Sequence, residues 1–296
     1  SGSQVIELHD VSPDGRWIAY NGNIRGNSDL YTMPLGGGEA VPLTDFPDPE
    51  KRKALSARLA SLDLDKAAKE LGVGDFTLKD LKAYMARCGV EAVFTFCVAE
   101  RAKAVPPAND FLISITDHRT IFGFGTILPD LENPVAEVRR IRERGLRGIK
   151  FHSLFQPIGA GDENLLSIYE EMARIGMIAY FHVGKDPNHP SHPARTSPED
   201  MARLKERFPA LPIVAAHFGG LFMLEEARKW VIGKDVYIDT CWGPNIQSLE
   251  AKEVIDLIRS HGVEKVLFAT DYPSTAEPGP QIEWWKALPL KKEEKV

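Results

Sequence analysis

Cysteine is scarce in this chain of 296 residues: Cys88, Cys97 and Cys241, widely spaced and odd in number. That excludes a disulfide scaffold and points to structural thiols in a reducing, cytoplasmic setting. Long apolar runs are missing too; none approaches the roughly 18 residues of a membrane span, and no basic-then-apolar pattern of a secretion signal opens the chain. Basic charge is in deficit, with 36 Lys and Arg against 42 Asp and Glu. No Lys/Arg stripe stands out, so nucleic acid is not an expected partner. No glycine-rich loop follows any strand-like run, which weighs against a nucleotide fold. A hydrophobic content of 43% leaves ample material for a buried core.

Lysine is absent from the first 44 residues, which hold seven of the 24 glycines. There, short strand-like runs alternate with turn signals. Arg16-Trp-Ile-Ala-Tyr20 follows the turn Ser12-Pro-Asp-Gly15, Asp29 to Met33 follows a Gly/Asn-rich loop, and Ala40 to Thr44 follows three glycines. This predicts a β-meander of three short strands.

From Asp45 onward, helix and strand patterns alternate. Continuous apolar runs at 93–96, 121–127, 146–151, 177–181, 212–216, 236–240 and 266–270 predict seven strands buried on both faces, hence a parallel sheet. Amphipathic stretches lie between most of them. Examples are the segment opened by Asn133-Pro134, the segment Leu165 to Ile175, and the one opened by Ser197-Pro-Glu-Asp200. The expected fold is α/β, an incomplete (β/α)8 TIM-type barrel one strand short, with a doubly wound open sheet as the alternative.

In a parallel barrel, chemistry gathers at the carboxyl ends of the strands. His152, His182, His217 and Asp271 each stand directly after a different apolar run. Imidazoles and a carboxylate form a zinc-type ligand set, and an unligated imidazole can move protons beside it.

The strings Gly-Ile-Lys-Phe-His (148–152), Phe-His-Val-Gly (181–184), Ala-His-Phe-Gly-Gly (216–220) and Ala-Thr-Asp-Tyr-Pro (269–273) resemble the amidohydrolase-related superfamily. Within it they are closest to the branch of metal-dependent hydrolases and decarboxylases that includes aminocarboxymuconate semialdehyde decarboxylase. The resemblance spans about 45–296. It implies a divalent metal, zinc by expectation, held by His182 and Asp271. His217 is implied as the catalytic acid/base, and Asp271 as a helper in activating water. His152 and Lys150 would line the pocket of a small carboxylated or lactone substrate.

Two departures stand out. The family's first strand ends in His-x-His, and none of the eight histidines (His9, His118, His152, His182, His189, His192, His217, His261) forms that pair. Val5 to His9 could pair as a substitute first strand and place Glu7 and His9 on one face, but His9-Asp10 reads foremost as loop leading into the meander, and the substitute is not relied on. The final helix of the family is expected to be cut short after Lys291. Residues 1–44 instead resemble one repeat of a TolB-type β-propeller, carried by Ser12 to Tyr20, Asn27 to Tyr31, Gly37-Gly-Glu39 and Pro42-Leu-Thr44. One blade cannot make a propeller, because blades bury their faces against neighbours. The reading is a chimera, a blade fragment (1–44) joined to an amidohydrolase-like barrel (45–296). It is either an enzyme impaired in metal binding or a non-catalytic scaffold whose blade patches the barrel. An open barrel edge also predicts self-association.

Overall fold

The computed structural model describes residues 7–11, 17–22, 29–34, 41–42, 78–185, 194–241, 249–272, 279–291 and 294. His189 and His192 lie outside them. The chain divides into two compact units, 1–81 with 272–277, and 82–271 with 278–296.

In the first unit, four strands pair antiparallel in chain order: β1 (Glu7–Val11), β2 (Trp17–Gly22), β3 (Asp29–Pro34) and β4 (Val41–Pro42). The meander therefore has one strand more than its turn signals suggest. The added strand, Glu7–Val11, covers the His9-Asp10 segment expected as loop, and with it the alternative of a substitute barrel strand. Glu7 pairs with Asn21 and Leu8 with Tyr20, and the register then slips, so that Asp10 pairs with Ala19. A bulge at this point breaks the shared face that a Glu-x-His pair would need.

The second unit contains β5 (Val93–Phe96), β6 (Ile121–Thr126), β7 (Gly148–Phe151), β8 (Ile178–Phe181), β9 (Ile213–Ala215), β10 (Tyr237–Asp239) and β11 (Val266–Leu267). All are parallel and hydrogen-bonded in chain order. A doubly wound sheet reverses its order at a switch point; this one never does, which removes that alternative. The helices are α1 (Leu78–Cys88), α2 (Val105–Ile115), α3 (Pro134–Glu143), α4 (Leu166–Ile175), α5 (Pro198–Arg207), α6 (Leu224–Trp230), α7 (Ala251–His261) and α8 (Gly279–Ala287). Thus a helix already follows β11 ahead of Lys291. None of the described helices is long and apolar enough to cross a membrane.

Local chemistry sets the helix ends. Asn133 accepts from the Ala136 N–H with Pro134 at the first turn, and Ser197 and Asp200 form a reciprocal capping box. Gly176 ends α4 at φ 67°, a left-handed turn that glycine adopts without a Cβ clash.

The strands are apolar on both faces because two cores flank the sheet. Ile149, Phe151, Ala179, Phe181, Ile213, Ala215 and Ile238 pack with helical residues such as Val138, Ile168, Met172, Leu204 and Leu257. The alternate residues Phe124, Tyr180, Val214, Ala216 and Cys241 form the inner cluster, joined by Phe96 from β5 and Leu267 from β11. Residues from the first and last strands meet in one cluster because the sheet curls. Across the same gap, the Tyr84 hydroxyl of α1 lies 3.2 Å from Thr270 Oγ1, just past β11. The architecture is a curled parallel sheet of TIM type. Among the described residues, β5 and β11 are its two edges.

Candidate functional site

Strand register assembles the site. Phe151 pairs with Phe181 and Phe181 with Ala215, so the next residues, His152, His182 and Ala216, stand at one level. The His152 and His182 rings stack with centroids 4.4 Å apart and planes 18° apart. Tyr180 and Lys150, one step back on the same inner face, lie beneath them. The Lys150 ammonium sits 4.6 Å from the Tyr180 ring centroid and 5.0 Å from that of Phe96. Cation–π attraction in this desolvated place is worth about 2 kcal/mol, far less than the hydration a buried ammonium gives up. Burial accordingly pushes the Lys150 pKa down, opposed by the charges of Asp239, Cys241 and Asp271.

His217 reaches the site by a different device. Ala216 faces inward, so a strand continued by one residue would aim His217 at the helices. Instead His217, Phe218 and Gly219 are left-handed, with φ of 61°, 54° and 79°. For a non-glycine residue this costs about 1 kcal/mol or more. The turn places His217 Nε2 2.9 Å from His182 Nδ1 and sends Phe218 outward to stack on Trp285, 6.1 Å away. Trp285 thus packs on the back of the site, with Trp284 against it at 5.1 Å.

Asp239, at the end of β10, secures that turn. Its backbone carbonyl accepts from the Phe218 N–H at 2.9 Å. Its Oδ1 accepts from the His217 N–H at 2.8 Å, the Cys241 N–H at 3.1 Å and the Cys241 thiol at 2.7 Å. Its Oδ2 accepts from the Tyr180 hydroxyl. Cys241 Sγ also lies 2.9 Å from His217 Nδ1. Burial pushes the His217 pKa down and holds the Cys241 thiol and Tyr180 hydroxyl well above their ordinary values, reinforced for both by Asp239.

His152 is fixed from the chain behind it. Its N–H donates to Gln156 Oε1 at 2.9 Å, and Gln156 Nε2 contacts the Ala99 carbonyl, Thr126 Oγ1 and the Ile127 carbonyl, each at 3.1 Å. One buried amide thereby ties together the loops after β5, β6 and β7.

Of the residues expected from the sequence, His152, Lys150, His182 and His217 are brought together. Asp271 is exposed and left-handed (φ 60°). Its charge raises the pKa of both Lys150 and His217, but among the described residues it belongs to no group of three or more side chains at metal-ligand spacing. Among the described residues, the one group with metal-ligand spacing is His217, Asp239 and Cys241, with donor atoms within 4.8 Å of one another. Asp239 and Cys241 went unread as site residues. Their signal was two polar groups on one strand face at the end of an apolar run. The donor chemistry here, two imidazoles with nitrogens facing at 2.9 Å beside the Asp239 carboxylate and the Cys241 thiol, fits a divalent ion.

A singly wound, curled parallel sheet with its polar side chains at the strand ends defines a TIM-type barrel protein. The chain belongs to the amidohydrolase family, whose profile ("Amidohydrolase") matches residues 72–295. No curated protein sequence matches it. Among solved structures, 5-carboxyvanillate decarboxylase LigW from Sphingomonas paucimobilis is 18% identical with a TM-score of 0.57, covering 72% of this chain and 78% of its own. The 2,6-dihydroxybenzoate decarboxylase from Rhizobium is 18% identical with a TM-score of 0.57, covering 86% and 90%. The 5-carboxyvanillate decarboxylase from Novosphingobium aromaticivorans, complexed with manganese and 4-hydroxy-3-methoxy-5-nitrobenzoic acid, is 17% identical with a TM-score of 0.57, covering 86% and 82%. At these identities the likeness concerns the fold.

Proposed function

We propose that the chain is a metal-dependent, non-oxidative decarboxylase of small aromatic carboxylic acids. The observation that carries this is Lys150: a buried ammonium, flanked by the faces of two aromatic rings. Among the described residues no salt bridge reaches it; a substrate carboxylate would supply a close anion, and Phe96 and Tyr180 would supply an apolar wall for a ring. The decarboxylases of similar fold support the substrate class.

His182 and Asp271 would hold a divalent metal, zinc by donor type. Bound there, it would polarise the substrate's oxygens. In decarboxylation the bond to the carboxylate breaks, carbon dioxide leaves, and the ring carbon takes up a proton in its place. His217 Nε2, at the strand ends, is the group that takes up a proton from solvent and delivers it to that carbon. Lys150 orients the carboxylate, and His152, stacked on His182, borders the pocket. Hydrolysis of a lactone would use the same residues on a different substrate.

The test is carbon dioxide release from 2,6-dihydroxybenzoate and 5-carboxyvanillate with zinc or manganese added, in the native chain and in Lys150→Met. Turnover lost in the variant supports the reading; no release under any metal sinks it.

The pairing of β1 with β2 favours a second reading. Glu7 and His9 belong to a strand of the antiparallel sheet, and a blade fragment joined to a non-catalytic barrel is the competing account, with 1–44 and 45–296 as its two parts. Metal content separates the two, since a scaffold would purify with little zinc or manganese.

A further inference from the structure

The chain from Asp239 to His182 has a direction, and it follows from which atoms can donate. An ionised carboxylate only accepts. Asp239 Oδ1 already receives two backbone N–H groups and Oδ2 receives the Tyr180 hydroxyl, so no donor is left to Asp239 itself. The 2.7 Å contact with Cys241 Sγ is therefore filled by the thiol proton. With that proton committed, sulfur offers His217 only a lone pair, and the 2.9 Å contact to Nδ1 requires the proton on Nδ1. A neutral imidazole carries one proton. His217 Nε2 is then a lone pair, aimed at His182 Nδ1 2.9 Å away, which donates in turn.

We infer that Asp239 and Cys241 are positioning residues that hold His217 in its Nδ1–H tautomer, leaving Nε2 as the basic nitrogen of the site. The inference deepens the proposed role of His217 and rests on that reading for its catalytic meaning, though the tautomer stands on geometry alone. The hydrogen bond made by one ring nitrogen of a histidine sets whether the other is available; here the partner is a thiol relaying the preference of a carboxylate. Asp239 also grips the His217 and Phe218 backbone N–H groups, so a single side chain and its own carbonyl fix both the turn and the ring.

The test is nitrogen-15 spectroscopy of the full chain labelled at histidine, with His217 assigned by its loss in His217→Gln. Long-range proton–nitrogen correlations distinguish protonated from bare ring nitrogens. The native chain should show a protonated Nδ1 and a bare Nε2 at His217. Cys241→Ser, which keeps a donor for Asp239 and an acceptor for His217, should preserve that pattern. Cys241→Ala should abolish it, moving the proton to Nε2 or averaging the two signals. A protonated Nε2 in the native chain would overturn the inference, as would an unchanged pattern in Cys241→Ala. Should Cys241→Ala fail to fold, the native spectrum still decides. Because the readout is a ring nitrogen and not turnover, an inactive chain with the expected tautomer would remove the decarboxylase reading alone.

Discussion

Lys150 and Asp239 are joined through one side chain, Tyr180: the Lys150 ammonium lies 4.6 Å from the ring centroid, and the hydroxyl of the same ring donates to Asp239. The lysine is stabilised from a distance by the carboxylate's charge, yet desolvation dominates and lowers its pKa.

A pH dependence of stability follows. Because the fold lowers the Lys150 pKa, the unfolded chain binds more protons than the folded one between the folded value and the ordinary 10.5. Stability from this group therefore rises with pH through that window and is lowest below it. In Lys150→Met the rise should vanish, and the variant should be more stable at pH 7 by about 1–3 kcal/mol. Urea unfolding of both proteins from pH 7 to 10.5 checks this; a wild type that gains nothing over the variant would refute it.

Glu171 carries the opposite sign. The carboxylate receives hydrogen bonds from Arg174 at 2.6 and 2.9 Å and from Arg139 at 2.6 and 3.3 Å. Arg174 and Arg139 together hold its pKa down to about 2. Its stabilising effect is complete above the ordinary 4.5 and is lost as pH falls toward 2. Glu171→Gln should flatten the acid limb of the stability profile in that window and leave the slope above pH 5 unchanged, as followed by thermal unfolding across pH 2–7.

The barrel was legible because its seven strands lie in mostly apolar runs, broken by few polar residues such as Lys150 and Asp239, and the two cores explain why alternation is missing. His152 and His182 were legible for the same reason: each is the first polar residue after such a run. His217 obeys that rule too, but its arrival at the site depends on a left-handed turn that no periodicity announces. Asp239 and Cys241 were hidden because their meaning lies in the neighbouring strand. A buried Asp and a buried Cys become a site only when register brings them beside His217. Over β1, a Glu-x-His pair on one face needs a regular strand, and the bulge after Leu8 breaks it.

Asn109 offers a structural control away from the chemistry. Its Oδ1 accepts the Thr126 N–H at 2.8 Å, and its Nδ2 donates to the Thr126 carbonyl at 3.1 Å and to Glu137 Oε1 at 2.7 Å. Asn109→Ala would take the side-chain partners from the buried Thr126 N–H and carbonyl at the end of β6, while Glu137 Oε1 keeps its bond from Arg140 at 2.8 Å, costing about 2–3 kcal/mol. Asn109→Asp should cost at least as much, because it removes the donor and faces Glu137 with a second carboxylate. Denaturant midpoints at pH 7 measure both; a loss below about 1 kcal/mol for the alanine variant would contradict the network.

Metal binding is the prediction with the widest reach. If His182 and Asp271 hold an ion in the folded chain only, adding it must raise the melting temperature by linkage, with a stabilisation of about 2.7 kcal/mol at one hundred times the dissociation constant. Zinc and manganese should both be tried, since the donor set suits zinc and a solved structure of similar fold carries manganese. His182→Ala should abolish the shift while leaving the metal-free melting temperature within a few degrees, because the His152 and His217 rings close around the gap. A shift that persists in His182→Ala but disappears in Cys241→Ala would relocate the ion to the His217, Asp239 and Cys241 group. No shift with either metal would favour the scaffold reading.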